Sequence, residues 1–176
     1  YIPEDDPNNT VNSYRRTVTV PEEWAGRPVL ITFDGVNSMF YLWVNGQKAG
    51  MGKDSRTPVE FDITQYLKPG ENLIAVENFR WSDGSYLECQ DFWRMSGIFR
   101  DVYLWSPAPL HLNDFEVKTT LDAEYKDAEL RAAVLVKNFS GQDASVTVAG
   151  ELFDAAGNVV ASQETAWNVT AGDRKS

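Results

Sequence analysis

The sequence predicts an all-β fold built of antiparallel sandwiches, and three observations carry that prediction. Short runs rich in β-branched and aromatic residues recur along the whole chain, clusters of turn formers separate them, and no helical period lasts longer than two turns. At 176 residues the chain is long enough to bury a core without covalent staples. With 43% apolar and 24% charged residues it has ordinary globular usage, which excludes disorder and low complexity for most of its length.

Taken in order, the strands of the first part are Tyr14–Val20, Val29–Phe33, Met39–Val44, Val59–Ile63, Leu73–Phe79 and Ile98–Trp105. The third leads into Asn45-Gly46, the strongest short hairpin signal, because both central residues of a type I′ turn need positive φ. Lys68-Pro69-Gly70-Glu71-Asn72 is a second turn, with proline fixing one φ and glycine supplying the reversed one. A helical turn is expected only around Thr64–Leu67. Farther on, the strands are His111–Thr119, Leu130–Val136, Val146–Leu152 and Val159–Ala166, and Asp154-Ala155-Ala156-Gly157-Asn158 is a hairpin loop. There Val134, Val136 and Leu152 sit among polar partners, the pattern of a sheet with one face toward water.

The chain changes character at Ser106-Pro107-Ala108-Pro109, whose two prolines favour an extended connector. Residues 1–108 hold 17 aromatics and residues 109–176 only five, so the large apolar payload belongs to the first part. We therefore divide the chain into a first domain at 1–106, a linker at 107–109 and a second domain at 110–176. An immunoglobulin-like sandwich takes about 100 residues, so the second domain is expected to be incomplete. The opening Tyr1-Ile2-Pro3, which lacks a methionine, reads as a cut from something longer. The residues leave the compartment, cytoplasmic or periplasmic, undetermined.

Charge and motifs exclude several functions. A formal net charge of −10 sets the chain against nucleic acid and against an anionic membrane surface, so neither is expected as a partner. No run reaches the ~20 apolar residues of a membrane span. Cys89 is the one cysteine, which excludes an internal disulfide and a cysteine-only metal site. His111, the one histidine, stands at a strand start, where a surface or packing role is expected rather than catalysis. No nucleophile–base triad, P-loop, dinucleotide-binding glycine turn or HExxH motif occurs.

The chemistry-bearing segment is Arg80–Asp101, which holds roughly sixteen residues of loop between two strands, a length that usually signals function. It concentrates Trp81, Tyr86, Phe92 and Trp93 with the carboxylates of Asp83, Glu88, Asp91 and Asp101. Aromatics beside carboxylates suit a sugar, whose C–H face packs on a ring while anionic oxygens accept from its hydroxyls. Trp81 and Trp93 are expected to plug the end of the sandwich, and Arg94 and Arg100 to neutralise Asp83 and Asp101. Glu88 and Asp91 invite comparison with a retaining glycosidase pair, which needs carboxyl groups ~5–5.5 Å apart. Three residues of separation in a loop permit that distance without enforcing it. The preferred reading gives Asp91 a double role, holding a hard cation and a sugar hydroxyl.

At this loop the sequence resembles the N-terminal part of bacterial β-galactosidases of glycoside hydrolase family 2. The matching stretches are Phe33-Asp34-Gly35-Val36-Asn37-Ser38, Leu42-Trp43 with Asn45-Gly46, Gly52 with Asp54-Ser55-Arg56, Pro58 with Glu60-Phe61-Asp62, and Gly70-Glu71-Asn72. The clearest are Arg80-Trp81-Ser82-Asp83-Gly84-Ser85-Tyr86-Leu87-Glu88, Gln90-Asp91, and Trp93-Arg94-Met95-Ser96-Gly97-Ile98-Phe99-Arg100-Asp101-Val102. Together they cover nearly all of residues 14–105, whereas residues 110–176 match in pattern alone.

The resemblance implies a sugar-binding jelly roll, then an immunoglobulin-like sandwich, then a (β/α)₈ barrel that carries the catalytic glutamates outside these residues. It implies that Asp91 reaches the barrel's site, contacts a galactose hydroxyl and ligates sodium. Asp83 corresponds to a ligand of a magnesium ion nearer the N-terminus. A second ligand of that ion is a glutamine in the best-known member, and Lys53 stands here instead; a cationic side chain opposes a dication, so the magnesium site is not expected to survive in this form. The implied substrates are terminal β-D-galactosides such as lactose. The segment alone is expected to be inactive, and the full-length protein to be a homo-oligomer. Two competing functions are a non-catalytic carbohydrate-binding module using Trp81 or Trp93, and a family 2 β-glucuronidase or β-mannosidase.

Overall fold

The computed structural model describes residues 7–172 and the backbone of residues 174 and 175. The opening Tyr1-Ile2-Pro3 lies outside the described residues. The chain folds as two units divided between Ser106 and Pro107.

In the first unit the strands are β1 (Val11–Thr19), β2 (Leu30–Phe33), β3 (Val36–Asn37), β4 (Met39–Val44), β5 (Gln47–Gly52), β6 (Val59–Asp62), β7 (Glu71–Phe79), β8 (Gly97–Ile98) and β9 (Val102–Trp105). They form a four-stranded sheet β1-β7-β4-β5, a three-stranded sheet β6-β2-β9 and a short pair β3-β8. Every pairing is antiparallel. This is the two-layer β architecture of a jelly roll.

Strict alternation along β4 builds the core, since Phe40, Leu42 and Val44 are fully buried while Met39, Tyr41 and Trp43 are half-buried on the other face. Ile31 and Phe33 of β2 share this core with Val29, Val36 and Ile63, and with Ile74 and Val76 of β7, which lies beside β4 in its own sheet. The rings of Phe33, Phe40 and Phe61 meet at centroid distances of 4.7, 6.2 and 5.9 Å, tilted or edge-on as aromatic quadrupoles prefer. Strand β5 leaves space for two of these rings. A Cβ on Gly50 would fall 2.2 Å from Cε1 of Phe61, and one on Gly52 would fall 2.4 Å from Cε1 of Phe40.

The Asn45-Gly46 turn has the predicted geometry, with φ of 51° and 83°. Its asparagine also joins it to the second predicted turn. Asn45 Nδ2 donates to the carbonyl of Tyr66 at 2.9 Å and to Asn72 Oδ1 at 2.8 Å, while Asn45 Oδ1 accepts from the amide of Leu73 at 3.0 Å. Buried Asn72 in turn donates to the carbonyls of Lys68 and Gly70.

Two expectations need correction. The run Ile98–Trp105 is two strands, β8 on β3 and β9 on β2, because the chain changes partner where Phe99 donates to the Gly35 carbonyl and Asp34 donates to that of Asp101. Helical turns also occur outside Thr64–Leu67. Besides the 3₁₀ turn at Thr64–Tyr66 there is another at Glu22–Trp24, and one α-helical turn, α1 (Gly84–Leu87), lies inside the long loop.

In the second unit β10 (Leu110–Leu121) pairs with β11 (Ala128–Asn138), which also pairs with β14 (Arg174–Lys175), and β12 (Ala144–Phe153) pairs with β13 (Val159–Val169). This is an immunoglobulin-like all-β arrangement. Among its described residues Val136, Asn138 and Val169 are buried. Asn138 Nδ2 ties the two sheets by donating to the carbonyl of Val169 at 3.0 Å. His111 packs as expected, stacked on Phe139 with Nδ1 2.6 Å from the carbonyl of Ala108. No helix among the described residues is long and apolar enough to cross a membrane.

The ring-and-glycine packing gives a stability prediction. Phe40→Ala should lower the unfolding free energy by about 3–5 kcal/mol, and Gly50→Ala, which overfills the core, by about 1–3 kcal/mol. Urea unfolding followed by tryptophan fluorescence measures both; an unchanged Gly50→Ala midpoint would show that the Phe61 ring gives way freely.

Candidate functional site

The registers of β5 and β7 against β4 bring two connections to one end of the sheet. Phe40, near the start of β4, lies opposite Gly52 at the end of β5, and Met39 lies opposite Phe79 at the end of β7. The turn 53–57 that follows β5 and the long loop 80–96 that follows β7 therefore leave the sandwich side by side.

Three successive contacts join them. Lys53 Nζ is 2.9 Å from Asp83 Oδ2. Glu88 accepts from the Ser55 amide at 2.9 Å and from the Ser55 hydroxyl at 2.5 Å, with Ser55 itself buried. Arg56 Nη2 donates to the carbonyl of Trp93 at 3.3 Å, and its guanidinium lies 5.0 Å above the Phe92 ring. The turn is itself held by Asp54, whose carboxylate accepts from the amides of Arg56 and Thr57 and from the Thr57 hydroxyl. The Thr57 hydroxyl, then the two amides, lower the Asp54 pKa below the ordinary carboxylate value. The Asp83 carboxyl is also lowered, first by the Lys53 ammonium and then by the Gly84 amide that it caps.

The candidate residues thus fall into different environments. Asp83 is spent on Lys53, and Glu88 is spent on Ser55. The Asp91 side chain is exposed and takes no hydrogen bond or ion pair among the described residues. Magnesium at Asp83 does not fit this arrangement, because an ammonium occupies the carboxylate where a dication would bind. Among the described residues no three His, Cys, Asp or Glu side chains cluster as a metal site.

The expected neutralisation by arginine is not what the structure contains. Arg94 donates to Cys89 Sγ and lies over Trp81, and Arg100 donates to the carbonyls of Asp34 and Arg56. Lys53, thirty residues away in sequence, neutralises Asp83 instead. Nor does Trp93 plug the sandwich, since it is 88% exposed. Trp81 is half-buried with Arg80 and Arg94 against its ring. A small hollow between loop and scaffold, lined by Asn37, Arg56, Trp81, Glu88, Phe92 and Arg94, has a volume of about 20 Å³. That is room for a water molecule and too little for a sugar ring. The contribution of Ser55 and Arg56 was missed from sequence, although Asp54-Ser55-Arg56 was among the stretches that carried the family resemblance, which also put Lys53 at the same ion site as Asp83.

Residues 2–108 match the family described as glycosyl hydrolases family 2, sugar binding domain, and residues 110–175 match glycosyl hydrolases family 2. The chain belongs to glycoside hydrolase family 2. This family 2 chain is 48% identical over 168 residues to a β-galactosidase of Priestia megaterium, covering 95% of the chain and 16% of that relative. It is 47% identical over 161 residues to a β-galactosidase of Vibrio cholerae, covering 92% of the chain and 15% of the relative. The chain thus spans about a sixth of the length of these relatives. The fold is shared with a Bacteroides uniformis β-glucuronidase (TM-score 0.86, 22% identity, 95% of this chain and 21% of that one) and with a putative β-galactosidase of Bacteroides fragilis (TM-score 0.83, 22% identity, 95% and 26%).

The lowered Asp54 pKa sets the pH response of the family 2 turn. A group with a folded pKa below its unfolded value stabilises the fold above the unfolded pKa, and that contribution disappears as pH falls through the folded pKa. Hydrogen-exchange protection of the Arg56 and Thr57 amides should therefore hold at neutral and mildly acidic pH and fall below the ordinary carboxylate range. Asp54→Asn should abolish that acid-dependent loss; an identical loss in the variant would remove Asp54 as its cause.

Proposed function

We propose that this family 2 chain is the sugar-binding segment of a retaining β-galactosidase acting on terminal β-D-galactosides such as lactose. In this reading Asp91 accepts a hydrogen bond from a galactose hydroxyl and ligates a sodium ion in a site completed by a barrel domain that carries the catalytic glutamates. One observation carries the proposal. Of the carboxylates at 83, 88 and 91 on the loop, two are engaged by protein partners and Asp91 is not. An ionised carboxylate with free lone pairs, held on a clamped loop, accepts strongly from hydroxyls and binds hard cations through oxygen.

The surroundings support the same reading. Leu87, Trp93 and Met95, on the same loop as Asp91, are exposed, and large exposed apolar side chains gathered in one loop are typical of a surface that another body covers. Bound sodium would supply a fixed positive charge beside the sugar. The chain's own part is to present one preorganised acceptor, so that the sugar pays little to find its reactive orientation. Identity of 48% and 47% to proteins named β-galactosidase favours that substrate over β-glucuronide.

The exposure of Trp93 is the observation that favours a second reading, a carbohydrate-binding module that stacks sugar by itself. Two measurements separate them. In the full-length enzyme Asp91→Asn should lower turnover of a nitrophenyl β-galactoside by about 10²-fold or more, with an unchanged circular dichroism spectrum. Wild-type turnover by that variant would sink the assignment. Galactose titrated into residues 1–176 should give no saturable change in tryptophan fluorescence; a saturable change abolished by Trp93→Ala would establish the module instead.

A further inference from the structure

We infer that Arg56 is the positioning residue for Asp91: it fixes the loop immediately after that carboxylate, while its neighbour Ser55 fixes the loop just before it. The inference rests on the reading of Asp91 as a substrate and cation ligand. Asp91 lies at the centre of a three-residue turn, in which the Phe92 amide donates to the carbonyl of Gln90 at 2.7 Å. The Gln90 amide in turn donates to the carbonyl of Glu88 at 3.0 Å, so Glu88 to Phe92 is one tight backbone unit. Ser55 holds the first residue of that unit through both carboxylate oxygens of Glu88. Arg56 holds its far end, with its guanidinium over the Phe92 ring and one N–H on the carbonyl of Trp93.

Arg56 is well placed to transmit stiffness. Its guanidinium also lies 5.2 Å above the ring of Phe99, its amide donates to Asp54 Oδ1, and its carbonyl accepts from Arg100 Nη1 at 2.9 Å. A planar guanidinium can stack and donate at once, which an ammonium cannot do with the same geometry. Both anchors come from adjacent residues on a turn whose ends are the sheet strands β5 and β6. The position of Asp91 is thereby referred to the rigid sandwich instead of to the loop's own exposed tip.

The test is made in the full-length enzyme. Arg56→Ala should raise amide exchange across residues 88–93 at least tenfold while leaving β4 and β7 protected, the signature of a local opening. It should lower kcat/KM for a nitrophenyl β-galactoside by about 10²-fold, as expected for misplacement of a positioned group. In an Asp91→Asn background the same substitution should change kcat/KM by less than about threefold, because residues acting through one another are not additive. Arg56→Lys retains a donor and loses the stack; it should show the same pattern at smaller amplitude, and it serves if the alanine variant does not fold. Unchanged exchange across 88–93, or an equal loss of kcat/KM in both backgrounds, overturns the role of Arg56. Raised exchange with wild-type activity of Asp91→Asn would leave the clamp standing and refute the reading of Asp91 on which its function rests.

Discussion

Burial of one face of β4 is the constraint on which the first unit depends. Phe40, Leu42 and Val44 project into the sandwich, and their register decides which ends of β5 and β7 lie together. A slip of one residue would turn all three side chains to the opposite face and expose the aromatic cluster. The same slip would separate the turn 53–57 from the loop 80–96. Packing and loop geometry are therefore set by a single choice of register, even though all three side chains lie buried inside the sandwich.

The loop itself is held differently. Leu87, Phe92, Trp93 and Met95 remain exposed, so apolar burial contributes little to its conformation. Its order comes from polar contacts to a neighbouring turn, a carboxylate on a buried serine being the most enclosed of them. An exposed ion pair such as Lys53–Asp83 contributes little alone, because water competes for both charges. Three contacts made in sequence from one short turn act together, each reducing the freedom left for the next to remove. The spacing also sorts the carboxylates: those at 83 and 88 meet a partner on the turn, and Asp91, between the anchors, meets none among the described residues.

Few side chains are enclosed among the described residues of the second unit. Val136 and Val169 are enclosed, and Asn138 links the sheets through the carbonyl of Val169, yet Leu112, Phe115, Val117 and Leu121 along β10 face outward. The aromatics so plentiful in the first unit supply its volume, since each such ring removes a large area from water. The strands of the second unit form long hairpins, whose backbone ladders satisfy their own polar groups.

The strands and turns were legible in the sequence because they are local. The aromatic-rich run before a turn pair marks β4 to the residue, and Asn45-Gly46 specifies its turn through the φ values its residues tolerate. The stretch Arg80–Asp101 also stood out by its density of aromatics and carboxylates. What the sequence did not reveal is which groups neutralise one another. Arg94 was the nearer candidate for Asp83, but the partner is Lys53; Glu88 read as a possible catalytic acid, but it is bound by Ser55, 33 residues away. Local sequence determines how each segment folds and which side chains it offers. Only the pairing of β4 with β5 and β7 decided which loops would meet, because contacts between distant residues follow from sheet order and register, and no spacing along the chain encodes them.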